Sequence, residues 1–171
     1  MTVATPPEIQ SAIPRLQPSG WIRYFSFSVD HKVIGLQYLV CGFAFYLVGG
    51  ALAGAIRTEL ASPVSDFMAR DVYNQVLTLH GTVMIFLWIV PVVNGAFGNY
   101  LIPFYVGARD MAFPRLNAVA FWLIPPAGLM LITSYFLTGA AQSGWTAYPP
   151  LSITTPAAGQ VIWILSVLLL G

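Results

Sequence analysis

Charged side chains are scarce in this sequence of 171 residues. Asp, Glu, Lys and Arg make up only 8% of it, whereas soluble domains carry roughly 25%. The single cysteine, Cys41, excludes an internal disulfide and is expected to pack within its apolar run. No glycine-rich phosphate loop, zinc-type Cys/His spacing or serine-nucleophile motif occurs, and a net charge of +1 gives no basis for nucleic-acid binding. Because 57% of the residues are hydrophobic, the composition predicts an integral membrane protein.

Apolar runs predict an all-α fold with three complete transmembrane helices and the start of a fourth. A helix needs about 20 apolar residues to cross the hydrocarbon core of a bilayer. The expected helices cover residues 33–57, 73–95, 116–137 and 157–171, with Asp30 as the N-cap of the first. Only about 11 residues follow Gln160, too few to cross. We therefore expect residues 30–171 to be the first part of a longer membrane domain.

Residues 1–29 hold several prolines and no apolar segment, so they predict a leader and not a secretory signal peptide. The aromatic residues within 21–27 suit the headgroup region of a membrane. Lys and Arg predict the orientation, because cytoplasmic loops carry an excess of both. Five of the seven lie in the leader, at the start of the first helix or between the second and third helices: Arg15, Arg23, Lys32, Arg109 and Arg115. We expect that side to be cytoplasmic.

Glycines recur along the first predicted helix. Gly35, Gly42 and Gly49 are spaced by seven residues, and Gly50 and Gly54 form a GxxxG pair. Small residues in such stripes let neighbouring helices approach closely in lipid. The pattern therefore predicts helix packing and not a binding site.

His80 interrupts a run that otherwise suits hydrocarbon. An ionisable group at such a depth needs a partner and marks a functional candidate, and a neutral imidazole commonly binds metals and haem iron. The alternative is a buried histidine bonded to a neighbouring group. His31, in the stretch DHK, is expected at the membrane interface. It cannot share an iron with His80, because about 16 residues of helix, or about 24 Å, separate the two in depth. Met84 faces the same side as His80, which leaves Met130 as the internal candidate for a second ligand.

Four segments resemble the haem–copper oxidases: YNQVLTLHGTVMIFLW around His80, then NGAFGNYLIP, GARDMAFPRLNA and FWLIPP. The resemblance extends from about residue 30 to residue 150. It implies the first part of a fold of about twelve helices. It also implies that His80 is an axial ligand of the low-spin haem. The second ligand, the copper ligands and the ligand of the second haem lie, in this family, on later helices.

Residues near His80 acquire further roles from the resemblance. Arg57, in the pattern IRTEL, matches an arginine that approaches a substituent of the low-spin haem; the alternative is a snorkelling arginine. Glu59 matches a family position that helps to bind a cation at the outer surface. Trp145 and Tyr148, in GWTAYPPL, match a segment near the haem propionates; the alternative is an aromatic belt.

Asp110, Asn99 and Asn117 form a second group of candidates. A carboxylate at a membrane entrance can collect protons, and amide side chains can order water without holding charge. The resemblance implies that Asp110 lies at the mouth of the principal proton-uptake path, with the two asparagines above it. A hydrophilic turn with a helix-capping aspartate is the alternative. Two departures stand beside these residues, because Arg109 replaces a common proline and Ala118 a common second asparagine.

The function that the resemblance implies is the reduction of dioxygen to water, coupled to proton pumping. Electrons would come from cytochrome c or quinol, and the expected partners are the rest of the catalytic subunit, other oxidase subunits and a bacterial plasma or internal respiratory membrane. We expect the 171-residue chain alone to be inactive. Alternatives are a small b-type cytochrome ligated by His80 and Met130, a nitric oxide reductase of the same superfamily, and a truncated, silent protein.

Overall fold

The structure is a computed structural model that describes residues 20–64, 67–137 and 139–171. Those residues form helices and loops, with no strand among them. A short 3₁₀-helix (Gly20–Phe25) precedes α1 (His31–Glu59), α2 (Arg70–Tyr105), α3 (Pro114–Leu137), the single turn α4 (Leu151–Thr154) and α5 (Ala157–Leu170). By length and apolar composition, α1, α2 and α3 can each cross a membrane, whereas α5 is a shorter apolar helix. The predicted all-α membrane fold is confirmed, while most of the predicted leader, residues 1–19, lies outside the described residues.

The start of α1 is fixed as the sequence predicted. The Asp30 side chain accepts a hydrogen bond of 2.9 Å from the backbone N–H of Lys32, which satisfies one of the donors left open at a helix N-terminus.

Just before α1, Trp21 and Phe25 of the 3₁₀-helix expose 83% and 76% of their surfaces. Amphipathic aromatic rings of this kind favour the membrane interface.

The second helix differs from its predicted range, because it continues past Gly95 to Tyr105. Pro91 and Pro103 lie inside it, although proline usually ends or kinks a helix in a soluble protein. Val83–Ile89 and Pro91–Phe97 are π-helical, and the Val90 N–H donates to the Ile85 carbonyl five residues back. This wider register continues the hydrogen-bonded ladder although Pro91 has no N–H to give. Prolines inside apolar runs therefore did not end the helix, in keeping with their tolerance in membrane helices.

The glycine stripe of α1 packs against α2. A Cβ on Gly35 would lie 3.1 Å from the Ala96 carbonyl oxygen, and one on Gly42 would lie 2.8 Å from a Val92 methyl. A Cβ on Gly49 would lie 2.5 Å from the sulfur of Met84. The backbone and side chains of α2 therefore leave no free space for a larger side chain at these three glycines, and their predicted packing role is confirmed. Gly50 and Gly54 face open space within the described part of the chain.

Helix α3 joins the α1–α2 pair to α5. Gly128 of α3 receives the ring of Phe45 from α1, and the Ser166 hydroxyl of α5 donates 2.8 Å to the Ala127 carbonyl. Leu87 and Leu131 lie in the shared apolar core and are fully buried. Large apolar side chains also cover the outward surface; Leu47, for example, is 58% exposed. Such a surface suits lipid or further apolar helices and not water.

Candidate functional site

His80 lies in the first half of α2 and bonds to the backbone of α1. Its Nδ1 is 3.0 Å from the Gly49 carbonyl oxygen. A carbonyl oxygen only accepts, so Nδ1 carries the proton and donates, and the lone pair of a neutral ring lies on Nε2. The close approach at Gly49 brings that carbonyl within reach of the imidazole. The arrangement matches a metal-ligating histidine, whose second ring nitrogen is usually held by a carbonyl or carboxylate.

The residue after His80 supports the loop between α3 and α5. A Cβ on Gly81 would meet Trp145 at 3.0 Å, and the Trp145 ring lies edge-on to Phe86 with centroids 6.2 Å apart. Trp145 is therefore adjacent to His80 in space although it is remote in sequence. Tyr148 lies farther along this loop and is 73% exposed.

Two buried threonines on α2 fix its neighbours, Thr78 the same loop and Thr82 helix α5, and sequence reasoning missed both. The Thr78 hydroxyl accepts 2.9 Å from the Gly144 N–H and donates to the Asn74 carbonyl. The Thr82 hydroxyl accepts 2.9 Å from the indole N–H of Trp163 in α5 and donates to the Thr78 carbonyl. Both threonines are fully buried. Their positions flank His80 by two residues on either side, a spacing that the sequence shows but whose partners it does not.

Arg57 and Glu59 lie in the last turn of α1. Arg57 is exposed, and it follows Gly49 by roughly two helical turns. Glu59 is half-buried, and its carboxylate accepts 2.9 Å from the Met68 N–H in the loop that leads to α2. The structure therefore gives Glu59 a loop-fixing contact. Among the described residues no group of three or more His, Cys, Asp or Glu side chains is placed to hold a metal ion.

Asn99 and Asn117 meet between the end of α2 and the start of α3. The Asn99 Nδ2 donates 2.7 Å to the Gly95 carbonyl, which fixes the orientation of the amide, and its Oδ1 accepts from the Asn117 Nδ2. Asn99 is 4% exposed. Asp110 lies in the loop between these helices, half-buried, and its carboxylate accepts 2.8 Å from the N–H of Met111. Helix α3 begins later, at Pro114.

His31 lies in an unexpected environment. The sequence placed it at the interface, between charged neighbours, but it is only 6% exposed, and its Nδ1 donates 2.8 Å to the Asn99 carbonyl. His31 and Gly49, which bonds His80, are about 27 Å apart along α1 at 1.5 Å per residue. The two imidazoles therefore serve opposite ends of the helix pair. The two candidate methionines lie on different helices. Met84 of α2 packs on Gly49, whereas Met130 lies in α3.

Comparison with known proteins identifies the family. The family described as cytochrome c and quinol oxidase polypeptide I matches residues 33–171. The chain belongs to this family. Cytochrome c oxidase subunit 1 of Thermostichus vulcanus and that of a Synechocystis strain are each 62% identical over 151 residues, which is 88% of this chain. The corresponding subunit of Corynebacterium glutamicum is 45% identical over 144 residues.

The chain spans only part of these oxidase subunits. It covers 27% of the Thermostichus and Synechocystis subunits and 24% of the Corynebacterium subunit, while 82% of this chain is aligned to the last. Oxidases of this family bind haem and copper. The family and the integral-membrane character expected from the sequence are confirmed; the oxidase activity and the roles of individual residues stay predictions.

Proposed function

We propose that this chain helps to build the catalytic subunit of a haem–copper respiratory oxidase, in which His80 would bind the iron of the low-spin haem. The observation that carries the proposal is the His80–Gly49 hydrogen bond. It assigns the proton to Nδ1, leaves the Nε2 lone pair for a metal, and sets the plane of the ring. The residues present therefore fit a haem. Bound there, haem supplies a one-electron carrier between the electron donor and the oxygen-reducing centre.

The protein groups around His80 orient this ligand. The Gly49 carbonyl polarises the imidazole and raises its basicity as a ligand. Trp145, packed on Gly81, covers the helix beside His80. Arg57 carries a positive charge at the same end of α1, where it can bond a haem substituent and oppose the extra charge of oxidised iron. In the proposed complex Tyr148 lies near the haem propionates, and Glu59 contributes to an outer cation site.

The second part of the proposal concerns proton uptake. Reduction of dioxygen to water consumes protons, and protons that cross about 30 Å of hydrocarbon need a hydrated path. Asp110 offers a titratable carboxylate outside the helices, and the Asn99–Asn117 pair offers polar groups inside the helix bundle. A file of water at this level passes beside the two amides, which bond water without holding charge. The Asp110 carboxylate accepts a hydrogen bond from the Met111 N–H, in the loop that precedes α3.

The rest of the machinery belongs to other parts of the complex. Other helices of the complex would hold the second ligand of the low-spin haem, the copper and the second haem, and cytochrome c is the proposed electron donor, with quinol as the alternative. The distribution of basic residues supports an orientation in which the N-terminus and the Asp110 loop face the cytoplasm of a bacterium. The His80 end of the bundle then faces the outer side, close to an external donor.

The His80 assignment is tested by His80→Ala in the complete subunit. The reduced-minus-oxidised spectrum of the purified oxidase should lose the low-spin haem band, because the ring that supplies Nε2 is gone. His31→Ala is the matched control, since His31 also donates Nδ1 to a backbone carbonyl but lies at the other end of α1. The control should retain the band. A His80→Ala enzyme with full low-spin intensity shows that His80 is not the ligand.

The proton-uptake assignment is tested by Asp110→Asn, which nearly preserves shape and removes the titratable group. Both haems should remain bound, while steady-state oxygen reduction slows and pumping stops. The measurement is acidification outside reconstituted vesicles during turnover. Asp71→Asn is the control, because Asp71 is an exposed carboxylate at the opposite end of α2 and should pump normally. Wild-type pumping by Asp110→Asn rules out the proposed role of this carboxylate.

A further inference from the structure

Pro103 leaves a carbonyl on α2 without its α-helical donor. In an α-helix the N–H of residue 103 would donate to the carbonyl of Asn99, four residues back. Proline has no N–H, so that bond cannot form. Asn99 and Pro103 are both buried. A buried carbonyl of this kind needs another donor, because an unpaired polar group is costly away from water.

His31 supplies the missing donor from a different helix. Its Nδ1–H points at the Asn99 carbonyl across 2.8 Å. Gly35 makes the approach possible one turn farther along α1, because a Cβ there would lie 3.1 Å from the Ala96 carbonyl oxygen, with the Asn99 Cβ at 3.5 Å. The start of α1 is thus fixed to this part of α2 by one hydrogen bond to Asn99 and one close backbone approach at Ala96.

The same asparagine carries the bond to α3. Its carbonyl accepts from His31, its Nδ2 donates to Gly95, and its Oδ1 accepts from Asn117. Asn99 therefore joins α1, α2 and α3 at one buried point. A displaced Asn99 backbone would move the side chain amide relative to Asn117.

We infer that His31 is a positioning residue for the Asn99–Asn117 pair: it replaces the helix donor that Pro103 lacks and so sets where the Asn99 amide stands. The inference rests on the proposed proton-uptake function. It adds a residue that contacts neither the proposed water file nor the haem and acts only through Asn99. His31 is thereby distinguished from His80, although both rings donate Nδ1 to a carbonyl. The His80 ring is the proposed haem ligand and is oriented by the Gly49 carbonyl. The His31 ring instead holds the backbone of Asn99 in place.

The test compares His31→Gln with His31→Met in the complete oxidase. Gln and Met are similar in length and volume, but only Gln retains an N–H donor for the Asn99 carbonyl. His31→Gln should pump close to the wild-type ratio. His31→Met should slow oxygen reduction by roughly three- to tenfold, the range expected when one buried hydrogen bond is lost, and should lower the pumping ratio. Both should keep the low-spin haem band.

A second variant separates positioning from general stability. Pro103→Ala creates an N–H at the position that normally donates to Asn99, so the carbonyl no longer depends on His31. The double variant with His31→Met and Pro103→Ala should recover most of the lost rate and pumping, whereas a purely structural defect would add to any effect of Pro103→Ala. Pro103→Ala alone should pump normally, because a carbonyl oxygen accepts two hydrogen bonds.

The outcomes separate this inference from the function on which it rests. Impaired pumping in His31→Met that Pro103→Ala restores supports the positioning role. Normal pumping in His31→Met, or a defect that Pro103→Ala does not relieve, overturns it while leaving the Asp110 result intact. If Asp110→Asn itself pumps normally, the proposed proton path fails and the role of His31 falls with it.

Discussion

Replacement of Gly49 by alanine tests whether the glycine stripe and the His80 bond are one structural unit. The Cβ of alanine would lie 2.5 Å from the Met84 sulfur, where ordinary contact begins at 3.4 Å. Met84 or the helix backbone must therefore move by about 1 Å, and overpacking of this kind typically costs 1–3 kcal/mol. Because the sulfur ends a flexible side chain, we expect a cost near the lower limit, about 1 kcal/mol.

Gly50→Ala is the matched control, since Gly50 is the next residue of the same helix and faces open space. Both substitutions gain the same helix propensity, about 0.5–1 kcal/mol, so the difference between them reports the contact with α2. Gly49→Ala should also shift the low-spin haem band, because the Gly49 carbonyl holds the His80 ring. Gly50→Ala should leave the band unchanged.

The assay is an SDS titration of the purified oxidase, followed by the low-spin absorbance, with the spectrum recorded before denaturation. Met84→Ala makes room for the new methyl, so the cost of Gly49→Ala should shrink in that background. Equal midpoints and equal spectra for Gly49→Ala and Gly50→Ala would show that the glycine stripe and the His80 bond are independent, because α1 and α2 would then tolerate a side chain at Gly49.

Two further predictions concern the low-spin haem and the chain by itself. Arg57→Met should lower the haem midpoint potential and shift the visible band, because a nearby cation disfavours the oxidised iron; a redox titration with an unchanged midpoint would identify a snorkelling arginine. The 171-residue chain expressed alone should bind no stoichiometric copper and consume no oxygen, since it has two histidines and one cysteine. Metal analysis and an oxygen electrode check this, and a stable haem with a methionine-type potential would favour the His80/Met130 cytochrome.

Helix existence was predictable because charge-free runs of sufficient length have few other stable forms in lipid. The end of α2 was not predictable, because prolines such as Pro91 and Pro103 usually end or kink a helix in soluble proteins. The π-helical register that accommodates Pro91 has no local sequence signal. The burial of His31 depends on that extension, since its partner lies in the added part of α2. A helix that ended at Gly95 would have left His31 at the interface, as its charged neighbours indicated.

The candidate site was predictable in part. His80 was evident from an ionisable group in an apolar run, but its hydrogen bond to Gly49 depends on how α1 and α2 pack. The contact of Asn99 with Asn117 follows from the return of the chain through the loop that holds Asp110. Thr78 and Thr82 escaped notice because threonine is common in membrane helices, where its hydroxyl usually bonds its own backbone.

A cryo-electron microscopy map of the complete oxidase, at a resolution that orients imidazole rings, tests the role of His80 most directly. We expect iron within bonding distance of the His80 Nε2, with Nδ1 still donating to the Gly49 carbonyl. Iron bound through other residues, or a His80 ring turned so that Nδ1 faces the metal, would show that His80 does not hold the haem as proposed.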